Sequence, residues 1–178
     1  MANYITISRI LLIFPVLYLV TPEMSSNNWF ALSLFVIAGL TDHFDGYIAR
    51  KTGTTTSVGA LLDLMADKLL VIICLVYLLS FHTTLLLLFP SLVIIAREII
   101  ISSLRQYLSQ RKGKNPIQVS FVAKSKTTLQ ITALSFLIIS PNFGEDFFTL
   151  TLFLFWLAAY VSLQSLYGYF KSYLNLIK

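Results

Sequence analysis

Two acidic segments decide how this chain folds: Asp42-His43-Phe44-Asp45-Gly46-Tyr47-Ile48-Ala49-Arg50 and Gly59-Ala60-Leu61-Leu62-Asp63-Leu64-Met65-Ala66-Asp67. Together they hold half of the 8 acidic residues, in a chain that is 57% hydrophobic. An apolar run flanks each segment. Ionisable groups within apolar helices are costly and usually face a cavity, a partner or an ion. The two segments therefore predict a polar site inside an otherwise apolar protein.

The composition indicates an integral membrane protein. Only 12% of the residues are charged, and the mean hydropathy is +0.79, which excludes an ordinary soluble domain. We expect one polytopic helical domain over residues 1–178. The net charge of +5 fits anionic lipid headgroups and phosphorylated substrates. Nucleic acid is not an expected partner, because a basic surface domain that binds it would not be this apolar.

The apolar runs predict an all-α protein with six transmembrane helices, separated by polar and Gly/Pro-containing segments. We expect the second helix to continue through the first acidic segment as far as Arg50, and Ser57 to cap the third. Cys74 lies in an apolar helix, and a single cysteine excludes a disulfide within the chain. No basic segment precedes the first apolar run, so no cleavable signal peptide is expected. The predicted helices cover residues 5–20, 30–50, 58–81, 85–109, 121–139 and 148–170.

The distribution of charge predicts the orientation. If six helices alternate, the loops near residues 21–28, 82–84 and 141–146 share one side and contain acids but no Lys or Arg. All 13 basic residues then lie on the other side or in helix ends that face it. By the positive-inside rule that side is cytoplasmic. Both termini and the acidic segments are therefore predicted to face the cytoplasm.

Helical spacing predicts that the acids form two facing stripes. Residues three or four apart share one face of a helix. The first stripe lies at the end of the second helix and the second at the start of the third, and a short loop makes the two helices antiparallel. Small residues in both stripes allow close approach or leave room for a ligand. The stripes comprise Asp42, Asp45, Gly46, Ala49 and Arg50, and Gly59, Asp63 and Asp67.

Four clustered carboxylates need cations to remain ionised in a pocket of low dielectric constant. Mg²⁺ or Mn²⁺ prefers such oxygen ligands, and two ions close together are a recurring arrangement for phosphoryl chemistry. Arg50 would neutralise a diphosphate or pair with an acid, and one aspartate would accept a proton from an attacking hydroxyl. The competing interpretation is purely structural, with the acids paired to Lys68, Arg97 and Arg50.

The residues that carry a family resemblance are Asp-x-x-Asp-Gly-x-x-Ala-Arg from Asp42 and Gly-x-x-x-Asp-x-x-x-Asp from Gly59. This pattern resembles the motif of the CDP-alcohol phosphatidyltransferases at every fixed position. The resemblance implies six transmembrane helices, a homodimer, and an exchange of CMP on a CDP-linked lipid for an alcohol. It implies that Asp42, Asp45, Asp63 and Asp67 hold two Mg²⁺ or Mn²⁺ ions, with Asp67 also the general base. The CDP-lipid pocket would comprise Asp42, Gly46, Ala49, Arg50 and Gly59.

Three further segments resemble the phosphatidylglycerophosphate synthase branch of this family: Asn3 to Arg9, Ala96 to Arg105, and Ala123 to Gln130. Ala2 stands where that branch has a proline before the asparagine. The resemblance implies that CDP-diacylglycerol and glycerol 3-phosphate yield phosphatidylglycerophosphate and CMP. A dianionic acceptor needs cations, and a helix N-terminus near Lys124 would favour it. The expected acceptor-phosphate residues are Arg97, Lys124, Lys126 and Arg105; interfacial anchoring is the alternative role for the two lysines.

The motif spacing leaves other functions open. A sister transferase would use inositol phosphate, serine or phosphatidylglycerol as the acceptor. A divalent-cation or proton-coupled transporter would use the four acids as a carrier site, although transporter sites usually lie near the midplane on broken helices. For either transferase we expect a multi-pass protein of a bacterial plasma membrane, surrounded by membrane lipids, with its active site facing the cytoplasm.

Overall fold

The computed structural model describes the backbone of residues 2–20, 28–39, 57–110 and 121–177, and the side chains of 10–20, 28–39, 66, 68–104, 106 and 126–171. Within these ranges the chain is helical and has no β-strand, as predicted. A 3-10 turn covers Ser140–Asn142. The α-helices are α1 (Ala2–Leu19), α2 (Asn28–Gly39), α3 (Ser57–Leu79), α4 (Leu85–Gln110), α5 (Phe121–Ile139) and α6 (Glu145–Ile177).

The predicted helix boundaries agree within a few residues for α1, α3 and α4, and at both ends for α5. The expected continuation of α2 to Arg50 lies outside the described residues. Helix α6 covers Glu145–Ile177, so it begins three residues before its predicted start, and its predicted end at residue 170 is wrong by seven residues. Acidic Glu145 and Asp146 occupy its first turn, where carboxylates interact favourably with the helix dipole. No proline or glycine stops the helix after Lys171, so its polar end stays helical.

Two helices in the described part of the chain are long and apolar enough to cross a membrane: α4 over Leu85–Leu104 and α6 over Glu145–Lys171. Their exposed surfaces are apolar as well. A soluble protein would present polar side chains there, whereas lipid accepts large apolar ones. The fold is thus that of an all-α membrane protein. The exposed residues of α6 include Phe153, Trp156, Tyr160, Leu163, Tyr167 and Phe170.

The chain divides into two compact units. Unit 1 comprises Met1–His82 and Leu134–Thr151, and therefore contains α1, α2, α3, the end of α5 and the first turns of α6. Helix α1 packs against α3. Buried apolar residues recur every three or four positions, which is the period of a helix face. They include Ile13, Val16, Ala31, Phe35, Leu70, Cys74, Leu78, Leu134, Leu137 and Ile138.

One end of unit 1 is closed by polar and aromatic contacts. The Asn28 Nδ2 atom donates a hydrogen bond to Asn142 Oδ1 at 3.1 Å. The His82 ring stacks on Phe148 with ring centroids 5.0 Å apart. Burial lowers the pKa of His82 below its usual value. A cavity of about 370 Å³ lies at this end of unit 1, lined by Val20, Leu78, Phe81, His82, Ile138, Ser140, Pro141, Phe143, Gly144, Glu145 and Phe148.

Unit 2 comprises Thr83–Ala133 and Leu152–Lys178, and therefore contains α4, most of α5 and the greater part of α6. Helix α4 continues through Pro90, and the neighbouring Ser91 hydroxyl donates to the Leu87 carbonyl at 2.7 Å. The buried positions of α4 and α6 again recur every three or four residues, but several of them are polar. They include Ser91, Ile94, Arg97, Glu98 and Ile101 on α4, and Phe155, Ala158, Ser162, Ser165 and Tyr169 on α6.

Candidate functional site

The second acidic segment begins helix α3. The positions of Gly59, Asp63 and Asp67 lie in this helix, four residues apart, and therefore share one of its faces. Carboxylates at this spacing are a suitable donor set for Mg²⁺ or Mn²⁺. In the first segment, the expected site residues lie outside the described residues: Asp42, Asp45, Gly46, Ala49 and Arg50.

Metal binding stays a prediction. Among the described side chains, no group of three His, Cys, Asp or Glu is placed to hold a metal ion. The four predicted aspartate ligands all lie outside those described side chains, so this observation does not bear on them.

Two of the four predicted acceptor-site cations are described in full, and both lie in unit 2. Arg97 on α4 and Lys126 on α5 are each only 4% exposed. Lysine and arginine are almost never buried to this degree unless they are paired. The two other candidates, Arg105 on α4 and Lys124 on α5, have helical backbones but lie outside the described side chains.

The carboxylate of Glu98 brings Arg97 and Lys126 together. Its Oε1 atom accepts a hydrogen bond from Lys126 Nζ. The same oxygen accepts one from Arg97 Nη1 at 3.3 Å and one from Gln130 Nε2 at 3.4 Å. Three donors from two helices thus converge on one buried oxygen atom.

Serines of α6 complete this arrangement. The Ser165 hydroxyl accepts a hydrogen bond from Arg97 Nη2 at 2.7 Å, and Gln130 Nε2 lies 3.3 Å from Ser162 Oγ. The arrangement therefore joins α4, α5 and α6 through polar side chains that are all buried. We call it the Glu98 cluster; its members are Arg97, Glu98, Lys126, Gln130, Ser162 and Ser165.

The six members of the Glu98 cluster include two cations and one anion. Buried ions are tolerated when they are paired and hydrogen-bonded, and removing one partner of such a pair typically costs about 3–5 kcal/mol. Both cations belong to residue types that bind anionic ligands through charge-assisted hydrogen bonds. Arginine suits a phosphate, because its planar guanidinium presents several donors in a fixed geometry.

The sequence prediction identified the two cations but assigned no role to Glu98, Gln130, Ser162 or Ser165. One signal was available for Gln130: it follows Lys126 by four residues and so shares its face of α5. The spacing of Ser162 and Ser165 also indicates a single polar face on an apolar helix. Arg97 pairs with Glu98. The structural interpretation, in which the acids of the two segments pair with Lys68, Arg97 and Arg50, stays a prediction, because those acids lie outside the described side chains.

The family model and the individual relatives that match this chain indicate the same family of enzymes. The family model of the CDP-alcohol phosphatidyltransferases matches residues 1–164. The chain is 39% identical over 173 residues to the CDP-diacylglycerol–glycerol-3-phosphate 3-phosphatidyltransferase of Rickettsia bellii (strain RML369-C), covering 96% of this chain and 93% of that protein. A protein of the same name from Shigella flexneri serotype 5b (strain 8401) is 36% identical over 169 residues, covering 94% and 91%. Another, from Rickettsia prowazekii (strain Madrid E), is 40% identical over 173 residues, covering 96% and 93%.

Proposed function

This chain belongs to the CDP-alcohol phosphatidyltransferase family, and from that premise we propose that it transfers the phosphatidyl group of CDP-diacylglycerol to glycerol 3-phosphate. The products would be phosphatidylglycerophosphate and CMP. The observation that carries the proposal is the similarity, over nearly the whole chain, to bacterial enzymes named for this reaction. The conversion is a step of phospholipid biosynthesis.

The proposed reaction is a single displacement at phosphorus. The primary hydroxyl oxygen of glycerol 3-phosphate attacks the phosphorus that bears the diacylglycerol. The bond from that phosphorus to the bridging oxygen of the diphosphate breaks, and CMP leaves with the electron pair. Asp67 accepts the hydroxyl proton, which is the role of a general base.

The residues of the acidic segments would bind the CDP-lipid. Asp42, Asp45, Asp63 and Asp67 would hold two Mg²⁺ or Mn²⁺ ions, because clustered carboxylates are the donors that these ions prefer. When bound, the ions would neutralise the diphosphate and the charge that develops on the leaving group. The remaining pocket residues would contact the cytidine diphosphate: Gly46, Ala49, Arg50 and Gly59.

The basic residues of α4 and α5 would bind the phosphate of the acceptor. The contacts of Arg97 and Lys126 with one buried carboxylate oxygen support this role, because they place two cations side by side. Lys124 and Arg105 would add further positive charge, which a dianionic acceptor requires. These residues then account for a choice of acceptor that the acidic motif alone does not determine.

The protein would act in a bacterial plasma membrane with its active site open to the cytoplasm. The apolar exposed surfaces of α4 and α6 support a membrane location, and the named relatives are bacterial proteins. The charge distribution of the loops supports the orientation. We further propose six spans, cytoplasmic termini and a homodimer.

An acceptor panel tests the proposal directly. Purified protein is supplied with CDP-diacylglycerol, Mg²⁺ or Mn²⁺, and one of glycerol 3-phosphate, inositol phosphate, serine or phosphatidylglycerol, and CMP release is measured. We expect release with glycerol 3-phosphate, loss of release on chelation with EDTA, and recovery when either metal is restored. Absence of CMP release, or release only with another acceptor, would overturn the proposed function. Full activity in EDTA would overturn its metal dependence.

A further inference from the structure

We propose that Glu98 is a positioning residue that holds Arg97 and Lys126 in place for the acceptor phosphate, an inference that rests on the proposed function. Glu98 itself would not contact the reacting atoms. It acts through the two cations, which it joins across α4 and α5 by a single carboxylate oxygen. The structure supports this role through geometry, charge and the surroundings of Gln130.

The geometry brings two like charges close together. Lys126 Nζ and Arg97 Nη1 both donate to Glu98 Oε1, so they lie within hydrogen-bonding distance of the same atom. Two cations at that separation repel each other strongly in a buried environment. The carboxylate of Glu98, bonded to both cations, lowers that repulsion while they lie side by side.

Hydrogen bonds and ion pairs restrict the side-chain conformations of both Arg97 and Lys126. Arg97 is held at two points, by Glu98 through Nη1 and by Ser165 through Nη2. Lys126 has a flexible four-carbon stem, and its pairing with Glu98 restricts that freedom. Side chains ordered before binding do not lose that freedom when the ligand binds, which increases affinity.

Gln130 orients the carboxylate in turn. Its Nε2 atom lies 3.4 Å from Glu98 Oε1 and 3.3 Å from Ser162 Oγ, linking α5 to both α4 and α6. A glutamate that served only to neutralise charge would not need this additional donor. The contact instead limits the rotation of Glu98, and through it the positions of Arg97 and Lys126.

The charge of Glu98 and its positioning of the two cations have opposite effects on the binding of a phosphate. The negative charge of Glu98 would by itself repel an incoming phosphate. Loss of Glu98 would add positive charge but release the two cations from their common position. We infer that position matters more than total charge, so that substitution of Glu98 weakens acceptor binding.

Steady-state kinetics with each substrate varied in turn test this inference. In Glu98→Gln we expect the KM for glycerol 3-phosphate to rise by about tenfold or more, with the KM for CDP-diacylglycerol changed by less than about twofold. Glu98→Asp keeps the charge and should recover part of the loss. Glu145→Gln is the matched control, since it removes one carboxylate from an exposed position and should leave both KM values unchanged.

The outcomes separate this inference from the proposed function. If wild-type protein releases CMP with glycerol 3-phosphate but Glu98→Gln leaves both KM values unchanged, raises both equally or lowers that of the acceptor, the positioning role is overturned and the function stands. If wild-type protein does not use glycerol 3-phosphate, the proposed function fails and the positioning role with it. Should Glu98→Gln not fold, Gln130→Met replaces it, with an expected rise of about threefold in the acceptor KM alone.

Discussion

Asp63 and Asp67 are two identical carboxylates one helical turn apart on α3, yet we assign proton transfer only to the second. A carboxylate accepts a proton, whereas a carboxamide of nearly the same size does not. Substitution by asparagine therefore separates a basic role from a role in binding. A substitution can also separate two properties of His82. Its ring can carry a positive charge, whereas its stacking on Phe148 does not depend on that charge.

Asp67→Asn is expected to abolish turnover while leaving nucleotide binding largely intact. The loss of a general base typically lowers the rate by about 10²–10⁴-fold. CMP release measures the first effect, and equilibrium binding of CDP-diacylglycerol measures the second. Asp146→Asn provides the control, because Asp146 is exposed in the first turn of α6. Full activity of Asp67→Asn would exclude Asp67 as the base.

Acidification is expected to destabilise unit 1 through His82. Its pKa in the folded protein lies below the usual value of 6.5 because burial disfavours the charged ring. The stabilising contribution is therefore complete above pH 6.5 and is lost as the pH falls toward the lower folded pKa. Between about pH 7.5 and pH 5.5, His82→Phe should lose less thermal stability than wild type, since phenylalanine keeps the ring stacking without the charge. Glu145 lines the same cavity, so both proteins are also measured with Glu145→Gln. Equal losses in all four proteins would contradict a role for His82.

At the scale of elements, α6 has two apolar faces with different surroundings. One face contains buried Phe155 and Ala158, and the other contains exposed Phe153 and Trp156. In water the second face would be a liability, but in a bilayer its side chains contact lipid. Hydrophobicity alone does not distinguish the two faces, and only the buried one contains Ser162 and Ser165 of the Glu98 cluster.

Two phenylalanines on α6 provide a matched pair for this difference. Phe155 is 1% exposed and Phe153 is 63% exposed. Phe155→Ala removes a packed ring and should lower the free energy of unfolding by about 3–5 kcal/mol. Phe153→Ala replaces one lipid contact by another and should cost less than about 1 kcal/mol. Unfolding of both variants in mild detergent provides the comparison. Equal destabilisation would show that both faces are packed against protein.

Local sequence signals predicted most of the helices. They did not predict features that depend on how the helices pack together. The α5 boundaries were predictable because strong breakers precede an apolar run that ends at Ser140 and Pro141. The start of α6 was not, since Glu145 suits both a turn and the first turn of a helix. The two cations were predicted from the family resemblance of their segments and from the positive charge that a dianionic acceptor needs. Their shared carboxylate was not, because it depends on the relative register of α4, α5 and α6, which helical periodicity does not encode.

For the whole molecule, the proposed orientation depends on the charges of the loops and on the number of apolar helices that cross the membrane. The connection after α5 and the first turn of α6, residues 140–146, contain acids and no Lys or Arg, whereas residues 111–114 contain three basic residues. The energetic preference for basic loops on the cytoplasmic side would place these two regions on opposite sides of the membrane. With the proposed six spans, an even number, both termini would lie on the cytoplasmic side.

Cysteine labelling tests this orientation. Cys74 is the only cysteine and is buried, so Cys74→Ala gives an unreactive background. In that background, Glu145→Cys should react with a membrane-impermeant maleimide on intact cells, and Lys112→Cys only after lysis. The reverse pattern would invert the topology, and labelling of both positions on intact cells would contradict their separation by a membrane.

Helices α5 and α6 each contribute to both compact units, so unit 1 is not continuous along the chain. Unit 1 begins with α1, α2 and α3, but it is completed by Leu134–Thr151, which the ribosome produces only after α4 and most of α5. At typical translation rates of about 5–20 residues per second, the early helices exist for on the order of seconds before Leu137 and Ile138 are synthesised. A nascent chain arrested within α4 would therefore lack part of its own first unit, and would present an unfinished apolar surface to the insertion machinery and to membrane proteases.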